Sequence, residues 1–314
     1  MKRWCVVIFY GILFNTVCGQ EKEDLYYAQP PNTGLYLGFL YVNEENFVLA
    51  GLNTLYLFNH QKLLADTLPL SINRVISYAD NVMHLTLVDA HTLSVATLNR
   101  TLLINIKNNK FFIQEDYATK TLARQLGKYD LFILFKAGLL ARTTKGKSFG
   151  YQYFTRLGNG GFSKLGEPIW AKGPAFVTFL GSEIIGFTKY QVLGNDVFLF
   201  DRRRNKLTVL NTLNGSYTEI PLPELNPEDE AHEFFIDKQT KRLYLVKLTR
   251  DEGSRVFEMS KEAHTITEKA LIKYKVRGVY NGKCYVSGFF DGAAAHYLIP
   301  LYGKNNDLRF IDNE

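Results

Sequence analysis

One short unit recurs along this chain and limits what it can fold into. It has a polar or charged start, an apolar run of about four to six residues, and a polar turn. NTLYLFNHQK, DNVMHLTLVD, KYDLFILFKAG, GNDVFLFDRRRNK, TKRLYLVKLTRDEG and NGKCYVSGFFDG are variants of it. The runs are rich in Tyr, Phe, Val, Leu and Ile and are punctuated by Gly, Asn and Asp, the pattern of strands and tight turns. Helical periodicity is confined to EDYATKTLARQLGKYD, where Leu122, Ala123 and Leu126 fall at helical spacing and Gly127 supplies a stop. One short helix is expected there, and PEDEAHEFF adds at most a single turn beginning at Pro227.

The spacing of the units carries the architecture. With Tyr56, Leu87, Phe132, Phe198, Tyr244 and Tyr285 as markers, most intervals lie between about 30 and 46 residues. The interval from Phe132 to Phe198 is longer, about 66, and holds the further strand-like pieces FGYQYF and PAFVTFLG. A strand-only recurrence near 40–45 residues marks a β-propeller. A four-stranded sheet cannot bury both faces alone, so such sheets stack radially until a ring closes. The expected fold is all-β: a single β-propeller domain over residues 25–314, with about six blades of four-stranded antiparallel sheet. Five or seven blades also fit the length, and a pair of β-sandwiches is the alternative.

Leu193 to Pro223 reads as the clearest partial blade. An apolar strand ends at Phe200, DRRRNK turns, LTVLNT returns, and Asn214-Gly215 predicts a type I′ hairpin before YTEIPLP. Here the chain resembles β-propeller proteins in general. It has neither the WD dipeptide of WD40 repeats nor the kelch double glycine with spaced aromatics. NFVLAGLNTLYLFN is similar to the first strands of sema-type propellers, but that family's cysteines and length are missing.

The N-terminus predicts export. Lys2 and Arg3 precede an apolar core from Trp4 to Val17, too short to span a bilayer, and the chain then switches to QEKED. Residues 1–19 read as a signal peptide, cut either before Cys18 or after Gly19. Val17 and Gly19 make an acceptable small-residue site for a cut before Gln20. In the other case Cys18 becomes the first residue of a lipoprotein. NTV is a poor lipobox, whereas GQEKED resembles the acidic leader of surface lipoproteins in Bacteroidetes, which implies a lipid on Cys18. Cys5 falls in the leader, so Cys284 is left without a disulfide partner, which suits a bacterial envelope. Cys284 sits at an alternating position and reads as a buried, inert thiol. No later segment is long and apolar enough to span a membrane. The expected location is extracytoplasmic, secreted or anchored at the envelope surface.

The formal charge of +6 falls to about +4 without the leader. DRRRNK and KYKVR are the densest basic groups and read as solvated turns or strand faces. Along the chain aromatic and basic residues do not alternate as in single-strand binders, so nucleic acid is not an expected partner. The six histidines show no metal-ligand spacing and no CxxC exists, so neither a metal nor a cofactor is expected. His84 and His91 flank LTLVD and read as core-edge or solvated imidazoles. There is no GxSxG elbow, no GxxxxGK[ST] loop and no DxDxDG calcium loop. GNGGFSKLGEP reads as a hairpin or inter-blade loop, and the five carboxylates of ELNPEDEAHE as a solvated loop. Asn99 and Asn214 stand in N-glycosylation sequons, relevant in a eukaryotic secretory host.

The pattern points to a non-enzymatic module that binds a protein or glycan on its loop faces. GNGGFSKLG, LPELNPEDEAHE and LTRDEGS are the candidate surfaces. The alternative is a propeller enzyme, a lactone or ester hydrolase or a sugar-processing enzyme, with a channel site drawn from several blades. Asp89, Asp201, Asp237 and Asp291, each beside an apolar strand, are the residues it would use, although turn-forming aspartates are the ordinary expectation there.

Overall fold

The computed structural model describes residues 23–24, 38–43, 46–51, 53–59, 64–71, 78–145, 148–172, 189–201, 206–222, 232–248, 253–259, 266–272, 275–290 and 293–301. Apart from β1 (Glu23–Asp24), the strands follow one another as antiparallel meanders. Blade I is β2 (Gly38–Tyr41), β3 (Asn46–Ala50), β4 (Thr54–Asn59) and β5 (Leu64–Pro69). Blade II is β6 (His84–Leu87), β7 (Thr92–Ala96), β8 (Arg100–Lys107) and β9 (Lys110–Ala118). Helix α1 (Thr119–Leu126) leads to a sheet of β10 (Leu131–Phe135), β11 (Gly138–Lys145), β12 (Ser148–Arg156) and β13 (Phe162–Lys172).

Blade III is β14 (Lys189–Leu193), β15 (Asp196–Asp201), β16 (Lys206–Asn211) and β17 (Tyr217–Pro221). Blade IV is β18 (His232–Asp237), β19 (Arg242–Leu248), β20 (Ser254–Met259) and β21 (Ile266–Ile272). Blade V is β22 (Lys275–Tyr280), β23 (Lys283–Phe290) and β24 (Ala293–Pro300), with β1 as its fourth strand. Glu23 pairs with Leu298 and Asp24 with Tyr297, so the described chain enters its last blade two residues before the expected boundary at residue 25.

This is the expected β-propeller arrangement, with one correction to the blade count. At the axis, β2 packs on β6, β6 on β14, β14 on β18, β18 on β22, and β22 returns to β2. The inner ring therefore has five blades rather than six. The β10–β13 sheet stands outside it: its first strand packs against β7 and β8, the second and third strands of blade II. Six sheets occupy the periphery, but the wedge-like outer sheet fills the angle between blades II and III without widening the axis. Lys136 reaches back from the β10–β11 turn to Asp89 of blade II, and Arg156 Nη2 donates to Glu115 of β9 at 2.9 Å.

Alternation on the strands explains this packing. Within β10, Phe132 and Leu134 join a core with Leu103 and Leu122, whereas Leu131, Ile133 and Phe135 join Tyr190, Val197 and Leu199 of blade III. On β15, Val197 and Leu199 face the outer sheet, and Phe198 and Phe200 pack with Phe234 and Leu245 of blade IV. A strand buried on both faces favours apolar residues at successive positions, which is why LFILF and VFLF read as continuous runs. Each side chain so buried contributes about 1.5–3 kcal/mol.

The expected helix is present, and Gly127 ends it at φ 118° with its N–H on the Ala123 carbonyl. The turn expected from Pro227 lies outside the described residues up to Ala231, and His232 already opens β18. The type I′ hairpin expected at Asn214-Gly215 is corrected. Pairing of β16 with β17 stops at Leu210 and Tyr217, and only Gly215 of the intervening loop has positive φ, 72°. Two-residue turns with both φ values positive occur instead at Asn108-Asn109 (52° and 56°) and Asn281-Gly282 (47° and 71°).

Candidate functional site

The five inner strands leave an axial channel whose mouth is built by the turns that follow them. The seams between blades are closed there by side chains substituting for strand pairing. Tyr41 of β2 stacks on Tyr280 of β22, centroids 4.8 Å apart. Asn43 Nδ2 lies 3.4 Å from His91 Nδ1, joining blade I to blade II. Gln191 of β14 donates to the Phe234 carbonyl at 2.8 Å and accepts the Ile236 N–H at 2.6 Å, so one amide side chain pairs with the β18 backbone.

Asp237 closes the next seam. It is fully buried, and its carboxylate accepts the backbone N–H groups of Gln239 and Thr240 in its own turn. It also accepts those of Asn281 and Gly282 in blade V, at 3.0 and 2.7 Å. The neighbouring Lys238 points the other way. Its ammonium donates to the carbonyls of Leu87 in blade II and Val192 in blade III. Burial lowers its pKa to about 8, against the pull of Asp89.

A cavity of about 60 Å³ remains inside this frame, lined by Tyr41, Thr86, Tyr190, Gln191, Ile236, Tyr280 and neighbouring residues, with Lys238 among them. That is room for about two waters. Small-molecule sites ordinarily enclose about 300–1,000 Å³. Beneath it, the buried His84 of β6 presents its imidazole to the Tyr190 ring edge-to-face, centroids 4.9 Å apart. Burial lowers the His84 pKa to about 3 and holds the Tyr190 hydroxyl well above its usual value. His84 Nε2 meets no hydrogen-bond partner among the described residues. The buried Arg142 of the outer sheet completes this region, with Nε on Asp130 at 2.9 Å and its guanidinium over Phe149.

The residues singled out in the sequence scatter. Asp89 accepts the N–H groups of His91 and Thr92 at 2.8 and 2.9 Å. Burial pulls its pKa upward, but Lys136 and these donors outweigh that and hold it below the usual value. Asp89 and Asp237 are therefore turn builders whose oxygens are engaged. Asp201 ends β15 opposite Lys206, at the far end of that strand from Asp196 and the mouth, and Asp291 lies outside the described residues. Among the described residues, no three His, Cys, Asp or Glu side chains converge as metal ligands. GNGGFSKLGEP forms a hairpin, closed by Leu157 N–H to the Gly161 carbonyl at 2.8 Å, and runs on as β13.

Cys18 lies outside the described residues. Cys284 is buried in β23, and burial pushes its thiol pKa up. Asn99 uses the nitrogen that a glycan would take, Nδ2, to donate to the buried Asp80 at 2.8 Å. Asn214 is exposed, and its Oδ1 accepts the Ser216 hydroxyl at 2.7 Å. Lys238 was not singled out in the sequence, where DKQT resembles any charged turn.

The sequence matches no protein-family model and no curated protein. Solved structures with a similar fold do exist. A protein described as exported from Bacteroides fragilis is 9% identical over 90% of this chain and 96% of its own, with a TM-score of 0.51. The WD40 repeats of RRP9 are 8% identical over 90% and 98%, also at 0.51. The extracellular domain of a proposed one-component system from B. thetaiotaomicron is 12% identical over 94% of this chain, at 0.49, and this chain spans 35% of its length. At such identities the likeness is one of fold alone. Among the described residues, no helix is long and apolar enough to cross a membrane.

Proposed function

We propose that this protein is an exported, non-enzymatic binding module that holds a protein or glycan on its outer loops and strand edges. The observation that carries this reading is a contrast between axis and rim. The cavity at the mouth holds only about 60 Å³ and Lys238 reaches over it, whereas the outer surface exposes large apolar side chains. Leu213 is 69% exposed in the β16–β17 loop, with Tyr217 beside it at 40%. Leu157, at the GNGG hairpin, and Trp170 on β13 are similarly uncovered. The close backbone approach of Gly166 and Gly215 brings β13 and the β16–β17 loop together. Export rests on the leader, with Cys18 as the lipid attachment that tethers the propeller at the envelope surface. The intact mass of the native protein tests that part, because a lipid adds mass to an N-terminal cysteine.

The binding reading is tested on the purified protein with a glycan array and a panel of sugar lactones and aryl esters. Binding should be lost in Leu213→Asp and Tyr217→Ala and retained in Lys238→Met. Turnover of a lactone or ester that Lys238→Met abolishes would place the function in the channel and overturn the reading.

A further inference from the structure

The channel mouth gathers groups that suit a cation. The Leu87 and Val192 carbonyls, from two different blades, converge on one point, and the Asp89 carboxylate exerts its field from two residues beyond Leu87. Converging carbonyl oxygens beside a carboxylate coordinate hard cations or accept hydrogen bonds from an ammonium. The chain fills this point itself, by threading a third blade's lysine across the axis. Asp237 anchors the turn that carries Lys238 and fixes the side chain's origin.

We infer that the mouth of the axial channel is a primary-ammonium site whose resident occupant is the Lys238 side chain. The N–H donors of the ammonium, together with its charge, tie blades II, III and IV at the axis. A carbonyl pair of this kind discriminates by donor geometry: a primary ammonium satisfies both oxygens, whereas a quaternary one presents only methyl groups. Truncating Lys238 extends the cavity of about 60 Å³ by the volume of the lost side chain and leaves a chamber shaped for a short alkylammonium.

Chemical rescue tests this. Lys238→Ala should lower Tm by about 5 °C, the loss of two charge-assisted hydrogen bonds in a domain of this size. Methyl-, ethyl- or propylammonium chloride should restore at least half of that shift, and tetramethylammonium chloride at equal ionic strength should not. Lys238→Met, which keeps the stem and fills the space, should be destabilised without rescue. Equal responses to primary and quaternary ammonium, or a Lys238→Met as stable as the parent, would overturn the inference. Should the alanine variant fail to fold, reductive methylation of the wild-type protein decides by peptide mass. Lys238 should be modified far more slowly than Lys241, which is exposed in the same turn. Equal rates would show an ammonium that is not held at the mouth.

Discussion

His84 gives the sharpest pH prediction. Its imidazole is buried against Tyr190, and burial holds its pKa near 3. The unfolded chain titrates near the ordinary imidazole value of about 6.5. Below pH 6.5 the unfolded state therefore binds a proton that the folded state refuses, and stability falls with pH until about 3, where the folded state also protonates. The linkage amounts to about 2 kcal/mol at pH 5 and about 3 kcal/mol at pH 4, relative to pH 8. That is a large part of the roughly 5–15 kcal/mol of a typical domain. His84→Phe keeps an aromatic ring beside Tyr190, cannot titrate, and removes the unpartnered Nε2. Urea denaturation followed by far-UV circular dichroism at pH 8, 6, 5 and 4 gives both stability profiles. The difference between them should grow in favour of the variant below pH 6.5, by the amounts above. Parallel profiles would show that His84 is protonated in the folded protein and that the channel admits water to it.

Three further outcomes follow from the same packing and hydrogen bonding. Asp237→Ala strands four backbone N–H groups in two blades and should cost about 3 kcal/mol in urea denaturation, with Asp237→Asn recovering only part. Gly166→Ala places a Cβ 2.3 Å from the Gly215 carbonyl at a φ of +70° and should cost at least about 1–2 kcal/mol. Gly158→Ala, in open space, should leave denaturation unchanged. Secreted from a eukaryotic host, the protein should carry a glycan on the exposed Asn214 and none on Asn99, whose Nδ2 is held by Asp80. Peptide mass mapping reads the occupancy directly.

The sequence disclosed the strands because burial on both faces makes them mostly apolar, and each of the six quoted units contains one. The propeller arrangement was legible too, but the marker intervals are uneven because the markers are not equivalent positions. Tyr56 lies on the third strand of its blade, Leu87 and Phe132 on first strands, and Phe198, Tyr244 and Tyr285 on second strands. The second strands themselves begin at Asn46, Thr92, Gly138, Asp196, Arg242 and Lys283, a nearly regular repeat with one long step. That step, from Gly138 to Asp196, falls where the chain leaves the outer sheet for blade III. Rhythm counts sheets and is blind to which of them reach the axis, since β10 is as apolar as any inner strand. Turn chemistry was legible where a side chain acts on its own loop, as Asp89 does, and misleading where conformation is set from elsewhere. Gly215 takes its positive φ in a loop pressed against Gly166 of another sheet, so Asn-Gly there does not make a two-residue turn.

Lys238 shows why the candidate site was the least legible part. Its partners are backbone carbonyls, which every residue owns, and they lie 151 and 46 residues away in sequence. Nothing local separates this lysine from Lys241 three positions on; only closure of a five-membered ring brings Leu87 and Val192 within its reach. The same geometry weighs on function. A six-blade ring would hold its inner strands farther apart and leave a wider axis. With the outer sheet excluded from the ring, the axis shrinks until one lysine can cross it. The wedge stays out of the channel, buries both its faces against blades II and III, and adds its outer edge and a hairpin to the rim. The arrangement gives up interior volume and gains outer surface, the contrast on which the proposed binding role rests.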